Sequence, residues 1–182
     1  MTRGARLAVW LYGIAGITYL LDRATKIWAE HALSTRPPIQ ILSGVLQLNY
    51  TTNSGGAFSI GGSAPWLFAG ASVVVIGFII VASFRIARPA FAVALGLVLG
   101  GALGNLTDRV VRGPGLSGRV VDFIDLHVWP VFNVADSAIV LGAAILLISS
   151  FGGRDHGGPE PHRPPREEPR RPGIEPTEIE DG

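Results

Sequence analysis

The sequence predicts an all-α membrane protein: four transmembrane helices, with a small antiparallel sheet and an interfacial segment on the outer side. Three observations predict it. Of 182 residues, 48% are hydrophobic and only 16% charged, whereas an average soluble chain has roughly 25% charged residues. No Asp, Glu, Lys or Arg occurs from Pro37 to Phe84. Four separate apolar segments each approach the roughly 17–25 residues that a spanning helix needs. A soluble protein can bury one such helix, but hardly four in so short a chain.

The first span is placed at about 7–28. Leu7–Leu21 carries no charge, and the helix is expected to run on past Asp22 toward Trp28. Arg3 and Arg6 followed by an apolar run also resemble a signal peptide. Asp22-Arg23 follows that run without a small-residue cleavage site, which favours an uncleaved span. The other spans are placed at about 65–84, 89–107 and 137–153. Between the first two lies an outer connection, 29–63. Its stretch Ile39–Asn53 partly alternates, with Leu46, Leu48 and Tyr50 against Gln47, Asn49 and Thr51. With a turn at Ser43-Gly44, it reads as a short antiparallel sheet. A second outer connection, 110–135, mixes Phe123, Ile124, Val128, Trp129 and Phe132 with a few polar groups. That composition suits the membrane interface, where Trp is favoured.

Four spans put both termini on one side. Nine basic residues lie on the terminal side and six on the other, which orients both termini toward the cytoplasm. The chain divides at residue 151. The segment 152–182 holds seven of the 13 prolines and 13 charged residues; it cannot bury a core and is predicted to be a disordered cytoplasmic tail. Gly96, Gly100 and Gly104 on the third span, with Ala138 and Gly142 on the fourth, form small-residue seams for close helix packing in lipid.

Several chemistries are excluded or poorly supplied. Cysteine is absent and the net charge is +1, so there is no disulfide, thiolate or nucleic-acid footprint. Only His31 and His127 lie outside the tail, too few for a metal cluster, and no phosphate-cradling glycine loop is present. Lys26, the single lysine, has no distinctive serine near it, and with Asp22 it reads as an ordinary i, i+4 salt bridge. Asp108-Arg109 reads as a local charge pair. Acidic groups near lipid tend to mark function, and Asp108, Asp122, Asp125 and Asp136 all sit between the third and fourth spans. Asn133 and Asp136 share a face if the fourth helix starts there; Asn105, Asp108 and Arg109 can share one at the end of the third. Two close carboxylates cannot both ionise, so one can take a proton from water while the other gives one to a carbonyl. Hydrolysis by paired aspartates is the chemistry this inventory best permits. Residue chemistry alone does not choose among Asp108, Asp122 and Asp125 as the partner of Asp136. A proton-coupled transporter using the same carboxylates is the alternative, though no repeated half or broken helix pair is visible. A non-catalytic scaffold packed through the glycine seams would leave the Asn-Asp clusters unexplained.

Four motifs then occur in order: Asn53-Ser-Gly-Gly-Ala-Phe58, Gly104-Asn-Leu-Thr-Asp-Arg109, Val121-Asp-Phe-Ile-Asp125 and Phe132-Asn-Val-Ala-Asp-Ser137. Together with Asp22-x-x-x-Lys26, they resemble the lipoprotein signal peptidase (signal peptidase II) family of bacterial aspartic membrane proteases, over about residues 7–151. The resemblance implies cleavage of a prolipoprotein signal peptide just before a diacylglyceryl-modified lipobox cysteine. It puts the catalytic pair at Asp122 and Asp136. Asn53, Asn105, Arg109 and Asn133 match positions lining the family's site, and Asp108 is given a structural role. The outer sheet and interfacial segment become a cradle and lid over an extracytoplasmic cleft. It implies no metal or cofactor, contact with membrane lipid, inhibition by the cyclic peptide globomycin, and a monomer. Two departures stand out: Gly56 where the family often has alanine, and a longer Gly/Pro turn at Arg112–Gly118.

Overall fold

The computed structural model describes residues 1–55 and 65–151. The predicted tail, the end of the fourth predicted span and the second half of the Asn53–Phe58 motif, with Gly56, lie outside the described residues. In chain order the elements are α1 (Arg3–Leu33), β1 (Ile39–Leu42), β2 (Leu46–Asn53), α2 (Pro65–Ser83), α3 (Pro89–Val111), β3 (Val120–Asp125) and α4 (Val134–Phe151). All four helices are long and apolar enough to cross a membrane.

Local chemistry sets the helix limits. The Thr2 hydroxyl caps α1 by accepting from the Ala5 amide at 3.3 Å, one of the donors a helix start leaves unpaired. At 1.5 Å per residue α1 is ~46 Å long. It outruns a hydrocarbon core of about 30 Å, so the predicted limits 7–28 fall short at both ends. The helix stops before Pro37-Pro38, where an α conformation is disfavoured. Pro89 opens α3 at a first-turn position that loses no hydrogen bond. That helix runs to Val111, one turn beyond the predicted end. Its partner α4 starts at Val134, three residues early, because Asn133 caps it.

The bundle is organised around α3, which packs on α1, α2 and α4. A side chain at Gly100 would place its Cβ 2.6 Å from the Ala15 carbonyl, and one at Gly96 would lie 2.7 Å from that of Leu11. Glycine therefore lets α1 and α3 touch backbone to backbone. Gly101 does the same against Ala135 of α4, and Gly142 of α4 against Ala94 of α3. Close van der Waals packing of this kind is what associates helices in lipid, where burial of apolar surface no longer drives it. Leu7, Leu11, Ala15, Leu95 and Leu99 fill the remaining seam. Large apolar side chains such as Val74, Phe78, Leu147 and Ile148 point outward, as a lipid-facing surface requires.

The predicted hairpin is present, with Gly44 at φ 70° in its turn, a conformation glycine adopts without strain. The prediction for 110–135 needs correction. Part of it is β3, which joins β2 antiparallel to make a three-stranded sheet in the order β1-β2-β3. The register sets Thr51 opposite Asp122 and Asn53 opposite Val120. Phe123 packs with Ala29 and Leu33 at the end of α1, and its ring meets Trp28 edge-on at 6.3 Å. The sheet is thereby seated on α1, with β3 beside the start of α4.

Candidate active site

Six segments converge on one cleft of about 440 Å³. Asp122 enters from β3, Asp136 from the first turn of α4, Asn53 from the end of β2, and Asn105 and Arg109 from successive turns of α3. Phe68, Ala71 and Val75 of α2 and Ile139 and Val140 of α4 supply apolar walls. Trp129 and Phe132, from the segment before α4, close one side.

Asn133, the cap of α4, ties the two carboxylates together. Its Oδ1 accepts from the Asp136 amide at 2.9 Å, and its own amide donates to Asp136 Oδ2 at 3.2 Å. This reciprocal pairing at a helix start holds both side chains in place. The remaining end of the Asn133 side chain, Nδ2, donates to Asp122 Oδ1 at 2.6 Å. Asn105 Nδ2 donates to the other oxygen of Asp136 at 2.8 Å, and Asn53 hydrogen-bonds Asp122. Asp122 is only 2% exposed. Burial, and then the charge of Asp136 beside it, push the Asp122 carboxyl up to about 7. A low-dielectric pocket and a like charge both penalise the second negative charge.

Arg109 faces both carboxylates. It lies over the Phe68 ring at 5.5 Å, and its Nη2 makes a long 3.4 Å contact with the Gly55 carbonyl. Its Nη1 is buried and has no hydrogen-bond partner among the described residues. Such an orphan donor is expensive unless something else fills it.

Two sequence expectations change here. Asp108 does not share the cleft face with Asn105 and Arg109, and it is no local partner of Arg109. It turns toward α1 and binds Arg23 at 2.5 Å, Lys26 at 3.0 Å and Arg112 at 3.1 Å. Lys26 and Asp22 pair at 2.9 Å as expected, but both are fully buried rather than on an ordinary helix surface. Asp125 lies along the strand away from the cleft. Its oxygens accept from Gln47 Nε2 at 2.7 Å and the His127 amide at 2.8 Å, and these bonds hold it below the usual carboxylate range. Phe68 belongs to the cleft although no local signal in the sequence marks it, whereas Gly55 falls within the Asn53–Phe58 motif. Among the described residues no group of His, Cys, Asp and Glu converges to hold a metal ion.

The family model for signal peptidase (SPase) II matches residues 14–152. The chain belongs to the signal peptidase II family. It is similar to the lipoprotein signal peptidase of Streptomyces griseus, with 45% identity over 86% of this chain and 80% of that one. Against the Mycobacterium tuberculosis lipoprotein signal peptidase the identity is 40%, over 80% of this chain and 72% of that one. Two solved bacterial membrane enzymes share the fold. One has a TM-score of 0.71 at 24% identity, over 82% of this chain and 92% of its own. The other has a TM-score of 0.66 at 27% identity, over 77% and 91%. As a signal peptidase II with four spanning helices, the protein is a multi-pass membrane protease.

Proposed function

We propose that this signal peptidase II is an aspartic endopeptidase that removes the signal peptide of prolipoproteins just before a diacylglyceryl-modified cysteine. The observation that carries the reading is Asn133, which joins the buried Asp122 and the half-buried Asp136 into one pair inside an apolar cleft. Asp122 holds the proton, because it sits where a negative charge is most penalised. Asp136, at the positive end of α4, takes a proton from water. That water attacks the scissile carbonyl carbon while Asp122 gives its proton to the carbonyl oxygen. Collapse of the tetrahedral species breaks the C–N bond, and the proton held by Asp136 passes to the leaving amine of the cysteine. Asp122 then recovers the proton of the diol.

Around this pair Asn53, Asn105 and Asn133 orient the carboxylates. The unpartnered Arg109 Nη1 donates to a carbonyl of the bound peptide. Apolar side chains of α2 and α4 suit acyl chains and an apolar signal segment arriving from membrane lipid. The same cleft is the site for globomycin. The enzyme acts as a monomer in the bacterial cytoplasmic membrane, with both termini cytoplasmic and the cleft near the extracytoplasmic face; the tail 152–182 is dispensable for cleavage. The test is incubation of the purified protein with a diacylglyceryl-modified lipobox peptide and its unmodified twin. A cut before the modified cysteine alone is expected. No cut, or equal cutting of both, overturns the reading; proton-coupled solute uptake by vesicles containing the protein would favour a transporter.

A further inference from the structure

The cleft takes no lining residue from α1 among those described, yet α1 carries two fully buried opposite charges pointed toward it. Each member of their cluster reaches a neighbour of the carboxylate pair. Asp22 Oδ1 accepts from the Ala135 amide at 3.0 Å, one residue from Asp136. Asp108 Oδ2 accepts from the Val121 amide at 3.3 Å, one residue from Asp122. Lys26 Nζ lies between these two carboxylates, 2.9 Å from Asp22 and 3.0 Å from Asp108. Its third donor goes to Asn105 Oδ1 at 2.8 Å.

That last bond fixes more than a position. An amide side chain has one accepting end and one donating end. With Lys26 holding the oxygen, Asn105 can only present its NH2 to Asp136. A flipped amide would set an oxygen against a carboxylate oxygen. Lys26, with Asn133 Nδ2 on the same oxygen at 3.2 Å, thus selects the amide orientation that gives Asp136 a donor.

We propose that Asp22, Lys26 and Asp108 form a positioning cluster that aligns the segments bearing Asp122 and Asp136 and fixes the Asn105 amide toward Asp136. The proposal rests on the aspartic reading given above. It replaces the ordinary salt-bridge role, because a buried ion pair is weak evidence of stability in itself. The charged groups facing the pair are Arg109 directly and, behind Asn105 and the neighbouring amides, Lys26, Asp22 and Asp108. No other charged side chain occurs on α2, β2 or α4.

The test is the double variant Asp22→Asn/Lys26→Met in the full chain. Removing the ions together leaves no orphan charge, Asn keeps an oxygen for the Ala135 amide, and Asp108 keeps Arg23 and Arg112. The variant should accumulate in the membrane like wild type. Its kcat for the lipidated peptide should fall at least tenfold with KM within about threefold. A merely structural role would lower folded protein and leave kcat per folded enzyme unchanged. Wild-type kcat at equal protein level overturns the proposal. Should the double variant not accumulate, Asp108→Asn is judged by the same kcat and KM criteria; failure of both to accumulate assigns the cluster to folding and also overturns it. Asp136→Asn is run beside them. Full activity in that variant would sink the aspartic reading itself, whereas loss there with none in the cluster variant sinks only the positioning role.

Discussion

Replacing Asp122 with Asn should make the protein more stable at alkaline pH while removing its activity. In the folded protein burial and the neighbouring Asp136 charge push this carboxyl from 3.8 to about 7. Between those values the native state holds a proton that the unfolded chain has released. Stability therefore falls as pH rises through this window, and the full penalty is present above about 7. About three pH units at 1.36 kcal/mol each is a ceiling of ~4 kcal/mol, applicable because the group is only 2% exposed. Asn carries no charge to penalise and still offers Oδ1 to the Asn133 amide. Thermal unfolding in detergent, followed by tryptophan fluorescence, should put the variant's midpoint roughly 5–10 °C above wild type at pH 8. The gap should close below about pH 3, under the unfolded value of 3.8, where wild-type Asp122 is protonated in both states. An equal or lower midpoint at pH 8, or a gap that ignores pH, would refute the argument.

Other outcomes follow from the same structure. Cleavage should decline as pH rises past about 7, when Asp122 gives up the proton it must donate; a rate still flat at pH 8.5 would contradict that role. Gly100→Leu should lower the amount of folded protein in the membrane sharply, since even its Cβ would lie 2.6 Å from the Ala15 carbonyl, and such overpacking costs typically 1–3 kcal/mol or more. Gly13→Leu, with open space at that position, should be tolerated, and quantitative blotting of the two distinguishes them. Reporter fusions at Gly182 and near Ser43 should give opposite signals, whereas a shared compartment would overturn the proposed orientation.

The helices were legible because apolar length is an unambiguous signal in a bilayer. The glycine seam was legible too, since a four-residue repeat keeps small residues on one helix face. β3 was not. Its Val120, Val121, Asp122 and Phe123 are all buried, and a strand covered on both faces loses the alternation that marks one. Asn133 and Asp136 could be paired on paper because a capped helix start fixes their spacing. Asp108 could not be separated from Arg109: at about 100° per residue, Asn105 and Arg109 face the cleft while Asp108 turns just far enough to meet α1. The burial of Asp22 and Lys26 was equally hidden, because i, i+4 spacing is common to surface and interior pairs. Phe68 reaches the cleft only through tertiary packing, which no local pattern encodes.

The central claim is that Asp122 and Asp136 act as one chemical unit. Its most direct measurement is the rate of cleavage of a diacylglyceryl-modified lipobox peptide by Asp122→Asn, Asp136→Asn, the double variant and Asp125→Asn, with membrane protein level measured in each. Each of the first two should lose nearly all activity, and the double variant should lose little more, because groups acting together are not additive. Asp125→Asn should retain much of the rate, since its carboxylate pairs with Gln47 and the His127 amide away from the cleft. Substantial turnover by Asp136→Asn, or an Asp125→Asn defect as deep as that of Asp122→Asn at equal protein level, would contradict the account.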